Sequence, residues 1–177
     1  MKTSLAIFDL DGTLIDSAGG IHQALNLLLG ELDCPPLSLA EVRGMIGEGG
    51  MKLVERALEM RRRTSPDIRV ELRRFLEHYT ADPVAQTELY PGVAEILPRL
   101  RERGITLAVC TNKPIRLSET ILARLGIAKY FSAVLGGDSR PFRKPDPRML
   151  EELLQEFAAQ PADAVLVGDS EIDAATA

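Results

Sequence analysis

Two aspartates near the N-terminus, Asp9 and Asp11, have a spacing typical of side chains that act together. They follow an apolar run over residues 4–8, and side chains two positions apart point to the same side of an extended segment. Adjacent carboxylates repel each other, and a divalent cation relieves that repulsion; hard oxygen ligands favour Mg²⁺. Asp169 follows a later apolar run and can complete the coordination sphere. The pattern predicts a magnesium site, with a solvated acidic turn as the alternative.

A carboxylate beside a cation is also suited to phosphoryl transfer. It can attack phosphorus to form an aspartyl-phosphate, which divides a difficult hydrolysis into two easier displacements, with the neighbouring carboxylate as proton donor. The charged phosphoryl group also needs fixed cations and hydrogen-bond donors. Thr111, the backbone near Asn112, and Lys144 are suitable, although Lys144 by its context alone also fits an ordinary surface cation.

The elements that must position these residues alternate along most of the chain. Short apolar runs predict buried strands over 4–8, 105–110, 131–135 and 164–167. Apolar residues at helical spacing predict helices over 93–100, 117–125 and 150–157. Strands that alternate with helices predict a doubly wound, Rossmann-like parallel α/β sheet, whose ligand site lies beyond the carboxyl ends of the strands. The polar residues named above fall at those ends.

The segment 16–82 breaks this alternation. It contains only helical apolar stripes, for example Met51, Val54 and Leu58. We therefore expect an α/β domain over 1–15 and 83–177 with an all-α domain over 16–82 inserted into it.

Composition narrows the function classes. The chain has 177 residues, 45% of them hydrophobic, and a formal net charge of −5. We find no basic stripe for nucleic acid and no apolar segment long enough for a signal peptide or a membrane span. Cys34 and Cys110 lack metal-site spacing and are interpreted as free thiols. The free thiols and the lack of a signal-peptide core predict a cytoplasmic location. As a separate expectation, the protein is a monomer or homodimer whose partner is a small phosphorylated metabolite.

Four segments in order resemble the four signature motifs of the haloacid dehalogenase-like superfamily. They lie at residues 9–14, 111–113, 144–145 and 168–173. The resemblance implies that Asp9 is the nucleophile and that Asp11 is the general acid/base, its carbonyl also meeting the metal. It further implies phosphate binding by Gly12, Thr111, Asn112 and Lys144, and Mg²⁺ binding by Asp169 and Asp173, although Asp173 also fits a plain helix residue. The inserted helices resemble the family's cap.

Within the superfamily, the segments at 46–58, 90–92, 111–114 and 136–138 are similar to those of the phosphoglycolate phosphatases. This likeness implies hydrolysis of 2-phosphoglycolate. In the cap, Arg43 is a candidate for the second anionic group of the substrate, with an ordinary surface arginine as the alternative. Backbone N–H groups at Gly47 and Gly49 are candidates for an anion-binding nest, with a flexible loop as the alternative.

Two other functions are compatible with the same residues. A β-phosphoglucomutase-like phosphosugar mutase shares much of the same pattern, whereas Asp11 disfavours a dehalogenase. Members of the superfamily usually continue past Asp173 through a further strand and helix, so we expect the last strand of the sheet to be missing. Such a chain would also suit an inactive domain that acts as a binding module.

Overall fold

A computed structural model describes residues 3–177, which form two compact units. The first unit contains the residues up to Asp16 together with Glu88–Ala177, and the second contains Ser17–Thr87. The domain limits given above from residue patterns stay a prediction.

The first unit is built on a four-stranded parallel sheet. Its strands are β1 (Leu5–Phe8), β4 (Thr106–Cys110), β5 (Ala133–Leu135) and β6 (Ala164–Val167). The order across the sheet is β5-β4-β1-β6, and the register pairs Phe8 with both Val109 and Val167. β1 is therefore central, and the carboxyl ends of β1, β4 and β6 lie side by side. The predicted parallel α/β fold is confirmed.

Helices follow the strands of this unit, as their apolar spacing indicates. They are α5 (Val93–Glu102), α6 (Ile115–Arg124), α7 (Arg148–Glu156) and α8 (Glu171–Thr176). Leu5 and Ile7, two positions apart on β1, share one sheet face and pack with Met149 and Leu153 of α7. Burial of each of these side chains stabilises the folded state by about 1.5–3 kcal/mol and holds β1 against α7.

A short antiparallel pair lies beside the sheet in the same unit. β2 (Ile15–Asp16) pairs with β3 (Glu88–Leu89). Strands of two residues carry too little periodicity to be recognised in a sequence, and this pair was not predicted.

The regular elements of the second unit are four helices: α1 (Ala18–Glu31), α2 (Leu39–Arg43), α3 (Gly50–Met60) and α4 (Ile68–Ala81). α4 packs against α1 and α3, and α1 also packs against α2. The short helix α2 begins with a capping box, in which Ser38 and Glu41 each accept a hydrogen bond from the other's backbone N–H. Five residues are too few for an apolar stripe, and this helix was not predicted.

Candidate active site

Asp9 lies immediately after β1, at the centre of the sheet edge formed by the strands' carboxyl ends. Its backbone N–H donates to the Val167 carbonyl of β6 (2.9 Å). Its Oδ1 accepts a hydrogen bond from the Leu10 backbone N–H (2.7 Å). The side chain is buried, and these contacts fix it in one position.

Lys144 lies between two carboxylates. Its Nζ is 2.9 Å from Oδ1 of Asp9 and 2.6 Å from Oδ1 of Asp173, and all three residues are buried. Burial raises the pKa of Asp9 from 3.8 to about 6, although the Lys144 ammonium lowers it. Burial would lower the pKa of Lys144, but Asp9 and Asp173 hold it above its ordinary value. The ammonium is therefore charged near neutral pH and faces the candidate nucleophile.

Hydrogen bonds from Ser170 and from Thr13 orient the later pair of aspartates, Asp173 and Asp169. Ser170 caps helix α8, and the Asp173 carboxylate accepts hydrogen bonds from the Ser170 backbone N–H (3.1 Å) and from the Ser170 hydroxyl (2.5 Å). Burial would raise the pKa of Asp173, but Lys144 and Ser170 lower it. Asp169 is exposed, and its Oδ1 accepts a hydrogen bond from the Thr13 hydroxyl (2.8 Å).

Three of the predicted metal ligands come together in this way. Carboxylate oxygens of Asp9, Asp169 and Asp173 all lie within 4.8 Å of one another. A set of hard oxygen donors fits Mg²⁺, and the exposed Asp169 leaves one side open to water or substrate oxygens. The residues present therefore fit the cation that the sequence predicts. The Asp11 carboxylate has a different partner.

The Asp11 carboxylate pairs with Lys113, a residue for which we predicted no separate role. Its Nζ donates to Oδ1 (2.9 Å) and Oδ2 (3.0 Å) of Asp11. Gly12 follows with a φ of +87°, and a Cβ there would collide with the Asp169 carboxylate. Glycine is thus required where the loop of Asp11 passes Asp169. The only sequence signal for Lys113 was its place beside Thr111 and Asn112, because nothing in the residue pattern joins positions 11 and 113.

Thr111 and Asn112 follow β4, next to the end of β1. Both are buried, and the Asn112 side-chain amide donates to the Lys144 carbonyl (3.1 Å). The Thr111 backbone N–H donates to the Leu135 carbonyl (2.9 Å), while its hydroxyl accepts from the Lys113 N–H (3.3 Å). The structure thus brings Thr111, Asn112 and Lys144 to the same sheet edge as Asp9. Their roles toward phosphate stay a prediction.

The remaining predicted residues belong to the second unit. Arg43 is the exposed last residue of α2, and Gly47 and Gly49 have positive φ angles of 124° and 87° just before α3. Between the two glycines, Glu48 forms an ion pair with Arg56 of α3. The proposed contacts of Arg43, Gly47 and Gly49 with substrate stay a prediction.

Comparison with known proteins gives consistent matches. A model of the haloacid dehalogenase-like hydrolases matches residues 6–177. A phosphoglycolate phosphatase of Cereibacter sphaeroides is 48% identical over 174 residues, covering 97% of this chain and 78% of the relative. One of Rhodospirillum rubrum is 45% identical over 177 residues, covering 97% and 73%. A crystal structure of a predicted phosphoglycolate phosphatase from Haemophilus somnus has a TM-score of 0.95 at 34% identity, covering 99% of this chain and 81% of that one.

The chain belongs to the haloacid dehalogenase-like hydrolase family. Within that family it is similar to proteins named phosphoglycolate phosphatase, and it is an enzyme of the phosphoric monoester hydrolase class. The resemblance predicted from the four motifs is confirmed. Of the helices within residues 3–177, none combines the length and apolar character needed to cross a membrane.

Proposed function

We propose that this protein is a Mg²⁺-dependent phosphatase that hydrolyses a small phosphomonoester, 2-phosphoglycolate, through an aspartyl-phosphate on Asp9. One observation carries the mechanism: a buried carboxylate at the centre of the sheet edge faces the Lys144 ammonium and shares a cluster with Asp169 and Asp173. The names of the relatives support the substrate.

In the first step an Asp9 oxygen attacks phosphorus, and the bond between phosphorus and the ester oxygen of the substrate breaks. Burial raises the pKa of Asp9 only to about 6, so most of the carboxylate is ionised and nucleophilic near neutral pH. Asp11 gives its proton to the departing oxygen, which leaves as an alcohol. Lys144, Thr111 and the backbone at Gly12 and Asn112 hold the phosphoryl oxygens.

In the second step a water molecule attacks the phosphorus of the aspartyl-phosphate. Asp11 takes the proton of that water, the bond between phosphorus and Asp9 breaks, and inorganic phosphate leaves. Asp9 is again a carboxylate, and Asp11 again carries the proton that it gave up in the first step. Each residue therefore returns to its starting state.

The cluster of Asp9, Asp169 and Asp173 is the proposed metal site. Asp9, Asp169, Asp173 and the Asp11 carbonyl would hold Mg²⁺ there, and its positive charge would neutralise the phosphoryl oxygens and the crowded carboxylates. Thr13 orients Asp169 for this task and Ser170 orients Asp173, since each donates a hydrogen bond to its carboxylate.

For the second unit we propose the substrate-selecting role that the family resemblance implies, with Arg43, Gly47 and Gly49 as its candidate residues. We also propose a cytoplasmic location. Two free cysteines, Cys34 and Cys110, support it because a reducing compartment keeps thiols unpaired.

The test is phosphate release from 2-phosphoglycolate and from hexose phosphates, with Mg²⁺ and with a chelator. We expect metal-dependent release led by 2-phosphoglycolate, and release at background level for Asp9→Asn. The matched control is Asp67→Asn, the same change at the exposed N-cap of α4, where asparagine also caps a helix. Substantial activity in Asp9→Asn would refute the covalent mechanism, and an isomerised hexose phosphate as product would indicate a mutase.

A further inference from the structure

The ion pair between Lys113 and Asp11 joins two residues that are 102 positions apart in the sequence. The Lys113 side chain is 4% exposed and that of Asp11 is 14% exposed. One ammonium contacts both oxygens of one carboxylate, at 2.9 and 3.0 Å. Lys113 has no role in the proposed mechanism.

The burial of the Lys113 ammonium is not explained by packing. Removing an ammonium from water is costly, and an apolar side chain of similar volume is often as stabilising as a buried ion pair. Packing alone would therefore be served as well by methionine at position 113. The partner of Lys113 is the carboxylate to which the mechanism gives the proton transfers, and this points to a task in catalysis.

The backbone of Lys113 is fixed on both sides. Its N–H donates to the Thr111 hydroxyl (3.3 Å), and its carbonyl accepts from the Gly137 N–H (2.9 Å). Gly137 lies so close to the Asn112 carbonyl that a Cβ at position 137 would collide with it. The ammonium therefore extends from a rigid frame.

The loop of Asp11 is closed in a similar way. The Gly12 N–H donates to the Ile15 carbonyl (2.9 Å), and Asp11 itself forms a β-bridge with Ile15. Two fixed backbones connected by a two-oxygen contact leave the Asp11 carboxylate little freedom to rotate.

We propose that Lys113 is a positioning residue that holds the Asp11 carboxylate in the orientation required for proton transfer to the ester oxygen. This inference rests on the proposed function. When one oxygen of Asp11 is protonated, it gives up its contact with Lys113 and exchanges that proton with the substrate, while the other oxygen keeps its contact with Lys113. Proton transfer demands hydrogen-bond reach and alignment, so a freely rotating carboxylate would serve it poorly.

Two substrates with different leaving groups distinguish positioning of Asp11 from a purely structural role of Lys113. An alkyl phosphate such as 2-phosphoglycolate releases a strongly basic oxygen that needs a proton, whereas p-nitrophenolate departs without one. For Lys113→Met we expect kcat/KM to fall about 10- to 100-fold with 2-phosphoglycolate and only a few-fold with p-nitrophenyl phosphate. The inhibition constant of inorganic phosphate should stay unchanged. Lys129→Met, at an exposed lysine beside Tyr130, is the control and should behave as the wild type.

Three results would overturn the inference: unchanged kinetics, equal losses with both substrates, or a raised KM and phosphate inhibition constant with kcat unchanged. If Lys113→Met does not fold, Lys113→Leu replaces it with the same expectations, because leucine also offers no hydrogen-bond donor to Asp11. If the wild type releases no phosphate, the proposed function fails. A crystal structure of the Lys113 variant then decides the inference separately, because an Asp11 carboxylate that keeps its orientation would refute positioning.

Discussion

Replacing Asp9 with asparagine should change how the stability of the metal-free protein depends on pH. Burial raises the pKa of Asp9 from 3.8 to about 6 in the folded protein, even though Lys144 lowers it. The unfolded chain has the ordinary value, so between these two pKa values the folded state binds more protons than the unfolded state. Asparagine has the same shape and does not titrate, so the variant lacks this contribution.

Because the pKa of Asp9 is raised in the folded protein, the wild type should lose stability as pH rises. Below the ordinary pKa of 3.8, Asp9 is protonated in both states, so its ionisation does not change the free energy of unfolding. As pH rises from 3.8 to about 6, the unfolded chain releases a proton that the folded state still holds, so the free energy of unfolding of the wild type falls relative to that of Asp9→Asn and levels off above about 6. The difference between the two pKa values corresponds to about 3 kcal/mol.

The assay is urea unfolding of both proteins in a chelator at several values from about pH 4 to about pH 7. The difference in free energy of unfolding, variant minus wild type, should rise by about 2 kcal/mol over this range, because part of the full change already occurs below about pH 4. The change with pH is the measured quantity, because a constant offset from other contacts cancels. Added Mg²⁺ should oppose the trend by favouring ionised Asp9. A difference that stays flat or falls with pH would show that burial does not control this carboxyl.

Two further predictions concern other residues. Gly12→Ala places a Cβ against the Asp169 carboxylate at a φ of +87°, so we expect a loss on the order of 1–3 kcal/mol in urea unfolding and weaker Mg²⁺ binding by calorimetry. Gly30→Ala, in helix α1 with open space around it, is the control and should be neutral or stabilising; equal stability of the two variants would contradict the close approach of Gly12 to Asp169. A thiol reagent should modify Cys34 rapidly but spare Cys110 in the native protein, because burial raises the pKa of Cys110 to about 12 and the side chain is not exposed; rapid reaction of both thiols would indicate that β4 opens.

Much of the fold could be read from local patterns. The apolar run over 4–8 predicts the central strand because a strand covered on both faces is apolar throughout. Leu150, Leu153 and Leu154 have the spacing that lays α7 against the sheet. Elements as short as β2, β3 and α2 carry too little apolar periodicity to be recognised, and the local signal for α2 was the spacing of its capping box, Ser38 and Glu41.

For the site, residue patterns already place the reactive groups at strand ends: Asp9, Thr111 and Asp169 each follow an apolar run, and a parallel sheet brings such ends together. Which of these groups contact one another depends on the folded arrangement. Lys144 is one cation among many in the sequence, and burial between Asp9 and Asp173 makes it distinctive. The pairing of Lys113 with Asp11 spans 102 positions, and no periodicity reaches that far, because a contact of this kind depends on strand order and loop geometry.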